Sequence, residues 1–317
     1  MIQLTTKKIH ILPIIFFVTL LILPWQNAAI TTEPSTNPLI ISIPLFVDRN
    51  NTQGPWDGTT QHPYNHIQDA VDNATAYSNI TMRKGIYHET ITITKPLQIF
   101  GEKKTQTIID GSYQPVVVSI TVDNVTIEGL TIQNSGGYGK NAGIFINSKN
   151  NLINNCDFYR TKTGIYLNSS SNTTIISCLF YTNGEGITLR NSTYCNINDS
   201  YFTHNGLGLD IQQSKHIKIY DCYASTNGIG FFLNNSEQID IRRCAAYNNN
   251  DNQAGIFLGY CHSILIINSN MQHNGFGIRI TSSSSIQLSH CDISWNTHFG
   301  IRLEKSIQNI IINSCVT

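Results

Sequence analysis

The stretch GITLRNSTYCNINDSYFTHNGLGLDIQQSKHIKIYDCYASTNGI (residues 186–229) holds two consecutive units of 22 residues, each of which starts at a glycine. Counted from that glycine, apolar or small residues fall at positions 1 and 3, then 9 and 11, then 14 and 16. Alternation over three to five residues is typical of strands with one buried face. Each unit therefore predicts three short strands.

Units of the same kind begin at Gly143 and recur to the end of the chain, with a period of 21 to 25 residues that is mostly 22. Because each period is this short and already contains three strands, no residues are left for a helical crossover. Equivalent strands must therefore pair in parallel from one coil to the next. We therefore predict an all-β fold, a single-stranded parallel β-helix with three strands per coil. Leucine-rich repeats share this period, but here Ile, Gly and Asn dominate the unit rather than Leu.

Two polar positions of the unit keep their residue type from coil to coil. Position 6 holds a column of serines, interrupted by Cys261: Ser170, Ser192, Ser214, Ser236, Ser283 and Ser306. Position 19 holds a column of asparagines: Asn183, Asn205, Asn227, Asn249, Asn274 and Asn296. We predict that the stacked amides hydrogen-bond between coils, and that the glycine after four of these asparagines forms a tight turn with positive φ.

The repeat region is expected to begin with a capping helix. Residues 64–76 (YNHIQDAVDNATA) place four apolar side chains on one helical face, and Asn65 and Gln68 form an approximate capping box. Such a helix would cover the first coil, whose strand edges are otherwise unpaired. No cap is visible after the last repeat, so we expect either that the chain is truncated or that its last coil is covered by a partner or by another copy, in end-to-end self-association.

The N-terminal residues have the features of an export signal. Lys7 and Lys8 precede an apolar run, IHILPIIFFVTLLILPW, and the small residues Ala28 and Ala29 follow it. We interpret residues 1–29 as a signal peptide, or as an uncleaved signal anchor that tethers the chain to a membrane. The other predicted divisions are a linker over 30–56, the cap helix and irregular first coils over 57–115, and β-helix repeats over 116–317.

The overall charge limits the classes of partner. The 317 residues include 20 basic and 20 acidic side chains, and only 13% of them are charged. A chain with no net charge has no electrostatic attraction for nucleic acid, which we do not expect as a partner. Its polarity comes from Asn, Ser and Thr, a composition that suits contact with a polysaccharide or glycoconjugate.

The order of the motifs resembles that of a known group of proteins. The segments DGTTQHPYNHIQDAVDNA (57–74), RKGIYHETITITKPLQIFGE (83–102) and TIIDG (107–111), followed by repeats of GIxLxxSxxxxIxxC, are similar to secreted right-handed parallel β-helix proteins of the pectin-lyase-like superfamily. Within that superfamily, the chain looks like NosD-like proteins with carbohydrate-binding and sugar-hydrolase-type repeats, which are common on archaeal and bacterial surfaces. The resemblance extends from residue 57 to the end. It implies a right-handed helix, in a group that includes lyases, hydrolases, epimerases and adhesins.

The eight cysteines follow the repeat. Position 14 holds Cys178, Cys222, Cys244 and Cys291, with Ser200 and Ser269 in other coils. An inward column of thiols and small hydroxyls favours buried core cysteines, with disulfides between neighbouring coils as the alternative. The histidines occupy scattered positions of the repeat, so we expect no metal site, and we expect no cofactor.

Two aspartates are the catalytic candidates. Asp199 and Asp221 share outward position 13 on adjacent coils, about 5 Å apart, which is the carboxyl separation in retaining glycosidases. Ser177 and Arg243 continue that column, so an ordinary surface charge pair explains it as well. The resemblance directs attention to two motifs, Gly-His-Gly of polygalacturonase-like proteins and Asp-Pro-His-Asp of alginate-epimerase-like proteins, and neither occurs in this sequence. On the face of the first strand, Asp210 is an acidic residue without an acidic neighbour in its column.

Five tyrosines are the ligand-binding candidates. Five consecutive coils carry one tyrosine each at outward positions 15 or 17, where the unit that starts at Gly143 is counted with a one-residue deletion that also shifts Cys156 into position 14: Tyr159, Tyr181, Tyr201, Tyr223 and Tyr247. A stripe of aromatic rings can stack on sugars, although tyrosines are also common on ordinary β-surfaces.

Three functions are compatible with the sequence. The first is an exported protein of the cell surface or the extracellular space that binds carbohydrate or envelope components without catalysis. The second is a polysaccharide lyase or glycoside hydrolase that acts on the flank of the β-helix. The third is a structural envelope or adhesion module.

Overall fold

Three parallel β-sheets run along residues 43–316, the part of the chain that the computed structural model describes. Each coil of about 22 residues adds one strand to each sheet, and the chain makes about 11 such turns. The prediction of an all-β parallel β-helix with three strands per coil is therefore confirmed. Each sheet is named here by its number of strands.

The strands of the twelve-stranded sheet are Leu45–Val47, Asn79–Met82, Gln98–Gly101, Thr126–Glu128, Leu152–Asn154, Thr174–Ile176, Asn196–Asn198, Lys218–Tyr220, Glu237–Arg242, His262–Ile267, Ser284–Ser289 and Ile310–Ile312. Those of the ten-stranded sheet are Ile91–Ile93, Val116–Ile120, Ala142–Ile146, Thr163–Asn168, Glu185–Arg190, Leu207–Gln212, Ile229–Asn234, Ala254–Gly259, Phe276–Thr281 and Phe299–Glu304.

The strands of the eleven-stranded sheet are Gly85–His88, Thr107–Asp110, Thr131–Gln133, Asp157–Tyr159, Leu179–Tyr181, Tyr201–Thr203, Tyr223–Ser225, Ala245–Tyr247, Asn270–Gln272, Asp292–Ile293 and Cys315–Val316. Consecutive strands of each sheet are hydrogen-bonded neighbours, so equivalent residues of successive coils stack in register. In the core, the rings of Phe158, Phe180 and Phe202 stack with centroids 4.8 and 4.9 Å apart.

The asparagine ladder forms as predicted. The side-chain oxygen of Asn227 accepts hydrogen bonds from the backbone N–H and the amide of Asn205, at 2.9 and 3.0 Å. Its amide donates to the carbonyl of Phe202 at 3.0 Å and to the side chain of Asn249 at 3.1 Å. The oxygen of each such asparagine thus satisfies a backbone N–H of the turn in the preceding coil, as it does for Asn205.

The prediction that the glycine after the ladder asparagine has positive φ is wrong. Positive φ falls instead on the residue before the asparagine, such as His204 at 56° and Thr226 at 57°. The glycine is needed for space. A Cβ on Gly228 would lie 2.4 Å from the carbonyl oxygen of Gly206, because the two coils approach each other closely there.

A helix at Ile67–Asn73 packs against the first coils and buries Ile67, Ala70 and Val71. The capping helix is therefore present, but the predicted capping box of Asn65 and Gln68 does not form. The carboxylate of Glu89 accepts the backbone N–H groups of Ile67 and Gln68 instead, at 3.0 and 3.3 Å. A side chain distant in sequence caps the helix because Glu89 lies beside its N-terminus.

The first strand of the twelve-stranded sheet, Leu45–Val47, lies within the stretch 30–56 that is interpreted as a linker, and it pairs with Asn79–Met82. Val47 is fully buried in the core. The apolar run within 1–29 lies outside the described residues. No helix in residues 43–316 is long and apolar enough to cross a membrane.

The last coil exposes many apolar side chains. Leu303 and Ile311 are 50% and 46% exposed, whereas their counterparts in the preceding coil, Ile280 and Leu288, are buried. Exposed apolar side chains also include Ile307, Ile310 and Ile312. This exposed apolar surface is consistent with self-association through the last coil, which stays a prediction.

Candidate functional site

The five candidate tyrosines lie on the outer surface of the eleven-stranded sheet. Side chains alternate across a strand, and the central residue of these three-residue strands, such as Phe158 or Phe202, points inward. The first and third residues of each strand therefore point outward. The tyrosines form two columns. Tyr159, Tyr181 and Tyr247 occupy the third position of their strands, and Tyr201 and Tyr223 occupy the first. The single stripe predicted from the sequence is therefore split between two edges of the sheet.

The two tyrosine pairs differ in geometry. The rings of Tyr159 and Tyr181 are parallel to within 8°, with centroids 5.5 Å apart. The rings of Tyr201 and Tyr223 are tilted by 42° and lie 6.1 Å apart, and both are exposed. Tyr247 stands apart from both pairs and packs edge-on against His273.

Each of the two pairs, Tyr159–Tyr181 and Tyr201–Tyr223, lines an open groove. A groove of about 440 Å³ is lined by Leu179, Tyr201, Phe202, Thr203, Tyr223 and Ser225. A second groove of about 240 Å³ is lined by Thr105, Ile108, Thr131, Asp157, Phe158, Tyr159, Leu179 and Tyr181. Leu179 belongs to both, so the two grooves adjoin. We call this continuous surface, which excludes Tyr247, the tyrosine face.

Charged groups lie at one end of the tyrosine face. The guanidinium of Arg160 lies over the ring of Tyr159 at 4.7 Å from its centroid. Lys104 forms an ion pair with Asp157 at 3.0 Å. A ligand at this end meets two cationic side chains and a hydroxyl, whereas the groove at Tyr201 and Tyr223 is lined by uncharged residues.

The structure gives Asp199 and Asp221 different partners. The carboxylate of Asp199 accepts a hydrogen bond from Ser177 at 2.9 Å, and Asp221 forms two hydrogen bonds with Arg243 at 2.7 and 2.8 Å. The hydrogen bonds from Arg243 hold the pKa of Asp221 below its ordinary value. Within residues 43–316, no hydrogen bond joins the two carboxylates.

A charged cluster that sequence reasoning missed lies on the outer face of the ten-stranded sheet. Asp210 is only 2% exposed, and it accepts hydrogen bonds from Arg190 and Gln212, both at 2.9 Å. On the preceding coil, Glu185 accepts hydrogen bonds from Lys162 at 2.9 Å and from Thr188 at 2.7 Å. The sequence left Asp210 without a partner because its neighbours come from different positions of the unit.

The two carboxyl groups of this cluster differ in acidity. Burial raises the pKa of Asp210, although Gln212 and Arg190 act in the opposite direction. Burial also acts to raise the pKa of Glu185, but the hydrogen bonds from Lys162 and Thr188 outweigh it and hold that pKa below its ordinary value. Neighbouring carboxyl groups of unlike acidity are a common arrangement in acid–base catalysis.

The cysteines are free, and all except Cys315 are buried. The column at position 14 behaves as the sequence predicts for core thiols. The thiol of Cys222, for example, lies 3.3 Å from the carbonyl oxygen of Tyr220, and the hydroxyl of Ser200 bonds the equivalent carbonyl of Asn198 at 2.8 Å. Burial raises the pKa of the Cys156 thiol to about 12. Among residues 43–316, no group of three or more His, Cys, Asp or Glu side chains is placed to hold a metal ion.

A comparison with protein families decides the classification. The model described as "Right handed beta helix region" matches residues 116–253 and 230–317. This chain belongs to that family. A search of curated proteins finds no match.

Solved structures of the same right-handed β-helix fold differ widely in sequence from this chain. The A-module of the Azotobacter vinelandii mannuronan C-5 epimerase AlgE6 has a TM-score of 0.65 and 16% identity, over 77% of this chain and 74% of the module. XylC in complex with xylose has a TM-score of 0.63 and 10% identity, over 78% and 70% of the two chains. The Dettilon tailspike protein has a TM-score of 0.61 and 14% identity, over 75% and 55%. At such identities the similarity establishes the fold alone.

Proposed function

We propose that this protein is exported to the cell surface or the extracellular space and binds carbohydrate, alone or as part of envelope components, through the tyrosine face and without catalysis. The observation that carries the proposal is the groove of about 440 Å³ lined by Tyr201 and Tyr223. Export is proposed from the sequence of residues 1–29.

The geometry of the groove suits a sugar ring. Tyrosines offer a rigid apolar face for the C–H groups of the ring and a hydroxyl for its polar edge. The tilt of 42° between Tyr201 and Tyr223 separates the rings, and Thr203 and Ser225 add hydroxyl groups to the lining. Two proteins of this fold, a mannuronan epimerase and XylC with bound xylose, are associated with carbohydrates by name, which supports the same class of ligand here.

A glycan array tests this proposal. We expect the wild-type protein to bind at least one polysaccharide, and the double variant Tyr201→Ala/Tyr223→Ala to bind at least about tenfold more weakly, since each aromatic contact contributes about 0.5–1.5 kcal/mol beyond its buried area. The matched control is Tyr138→Ala/Tyr260→Ala, which removes two exposed tyrosines elsewhere. Absence of any ligand, or equal binding by the two double variants, would contradict the proposal.

The second candidate function is a glycoside hydrolase or polysaccharide lyase, and the observation that favours it is the cluster of Asp210 and Glu185. A hydrolase needs a protonated acid and an ionised carboxylate, and the raised pKa of Asp210 and the lowered pKa of Glu185 fit those two roles. Assays for reducing ends and for unsaturated products on a panel of polysaccharides test it. Activity that Asp210→Asn abolishes would favour this candidate over a binding protein.

A further inference from the structure

A groove distinct from the tyrosine face lies where the ten-stranded sheet turns into the twelve-stranded sheet. It has a volume of about 350 Å³ and is lined by Tyr194, Asn196, His216, Ile217, Lys218, Gln238 and Asp240. The carbohydrate-binding proposal does not involve these residues. Their grouping could not be inferred from the sequence, because His216 has no equivalent histidine on an adjacent coil.

One wall of this groove is an aromatic pair. The rings of Tyr194 and His216 stack with centroids 4.5 Å apart and planes within 5°. Both residues have positive φ, at 57° and 55°, as does the equivalent residue Asn172 at 53°. Asparagine tolerates this conformation well, whereas it is unfavourable for a bulky tyrosine. The turn itself therefore does not require an aromatic residue.

The opposite wall is a column of polar side chains from three successive strands. Asn196, Lys218 and Asp240 are in register on the twelve-stranded sheet. The carboxylate of Asp240 already accepts hydrogen bonds from Arg242 at 2.7 Å and from the hydroxyl of Tyr220 at 2.8 Å. Within residues 43–316, the exposed ammonium of Lys218 forms no ion pair, so the groove contains a cation that is free to bind an anion.

We propose that this groove binds a sugar ring that carries an anionic group, either a carboxylate or a sulfate. The ring packs against Tyr194 and His216, the anionic group pairs with Lys218, and the amide of Asn196 bonds a hydroxyl. A neutral sugar would leave Lys218 without a counter-ion, so the groove discriminates by charge.

Calorimetric titration of the full-length protein tests the proposal. The ligands are a hexamer of galacturonic acid, its neutral methyl ester and a sulfated galactose hexamer, so that carboxylate, sulfate and uncharged rings are compared. We expect at least one anionic hexamer to bind at least about tenfold more tightly than the neutral ester, and this preference to weaken as salt is added.

Variants locate the site. Lys218→Met should abolish the preference for the anionic hexamer, and Tyr194→Ala should weaken binding at least about fivefold. The control Lys149→Met removes an exposed lysine three coils away and should leave affinity unchanged. Tyr201→Ala/Tyr223→Ala should also leave it unchanged, which separates this groove from the tyrosine face. Binding of neither anionic hexamer more tightly than the neutral ester, or an equal loss in both lysine variants, would overturn the proposal.

Discussion

Asn227 joins three coils through one side chain, since its amide group bonds Asn205, Phe202 and Asn249. We expect Asn227→Ala to lower the free energy of unfolding by about 1–3 kcal/mol, because it leaves a buried N–H and a carbonyl without partners. Thermal melting measures this loss. The control Asn270→Ala removes an exposed asparagine and should change the melting temperature little. Equal melting temperatures for the two variants would refute the structural role of the ladder.

A second contact between coils is the close approach of Gly228 to the backbone of Gly206. Gly228→Ala places a Cβ within 2.4 Å of the carbonyl oxygen of Gly206, so the coils must separate, at a cost of about 1–3 kcal/mol. Gly137→Ala is the matched control, because nothing lies within 4 Å of a Cβ at that position. We expect chemical denaturation to reveal a large loss for the first variant and none for the second. A loss of equal size in both variants would contradict a specific close approach of the coils at Gly228.

Glu185 gives a prediction about pH. Its folded-state pKa is lower than its ordinary value of 4.5, so it contributes stability above that pH and loses the contribution as pH falls through the lowered pKa. We expect Glu185→Gln to lose about 1–2 kcal/mol near neutral pH, since its bond to Lys162 is charge-assisted. The difference from wild type should vanish in strong acid. Glu128→Gln, at a half-buried position, is the control, and a deficit that does not depend on pH would contradict this account.

At the scale of strands, the column at position 14 gives a prediction about reactivity. Cys156, Cys178, Cys222, Cys244 and Cys291 are buried, and desolvation raises the pKa of each thiol for which a shift is resolved, to about 12 for Cys156. Only the thiolate reacts quickly, so these residues should resist labelling. We expect a thiol reagent near pH 8 to modify Cys315 rapidly in the native protein, and all eight cysteines after denaturation. Rapid native labelling of several thiols would contradict the buried column.

The sequence predicts those contacts that repeat from coil to coil, and it does not predict contacts that occur once. The strands, the asparagine ladder and the core cysteines were predictable, because each contact joins equivalent positions of adjacent coils. The pairing of Arg190 with Asp210 was not, because it joins position 4 of one unit to position 2 of the next. The capping of the helix by Glu89 was missed for a similar reason, since that contact occurs once in the described structure.

The division of the tyrosines between two columns shows the same limit. Positions 15 and 17 were both correctly predicted to be outward, but they lie at opposite ends of a three-residue strand. Only the pairs Tyr159–Tyr181 and Tyr201–Tyr223 therefore come into contact. The sequence could indicate the sheet but not the groove.

For the molecule as a whole, the exposed last coil predicts self-association. Ile307, Ile310 and Ile311 expose an apolar surface beside unpaired strand edges. We expect light scattering to detect dimers or larger species in the wild-type protein, and Ile311→Lys to shift the population toward monomer. The control Ile86→Lys changes an exposed isoleucine in the first coils. A monomeric wild type at high concentration would contradict this prediction.

A crystal structure of the protein with the glycan that binds most tightly on the array tests directly whether carbohydrate binds at the tyrosine face. We predict a sugar ring in the groove that is lined by Tyr201 and Tyr223, in contact with Leu179. A glycan bound instead over Asp210 and Arg190 on the ten-stranded sheet would contradict the claim and favour an enzyme.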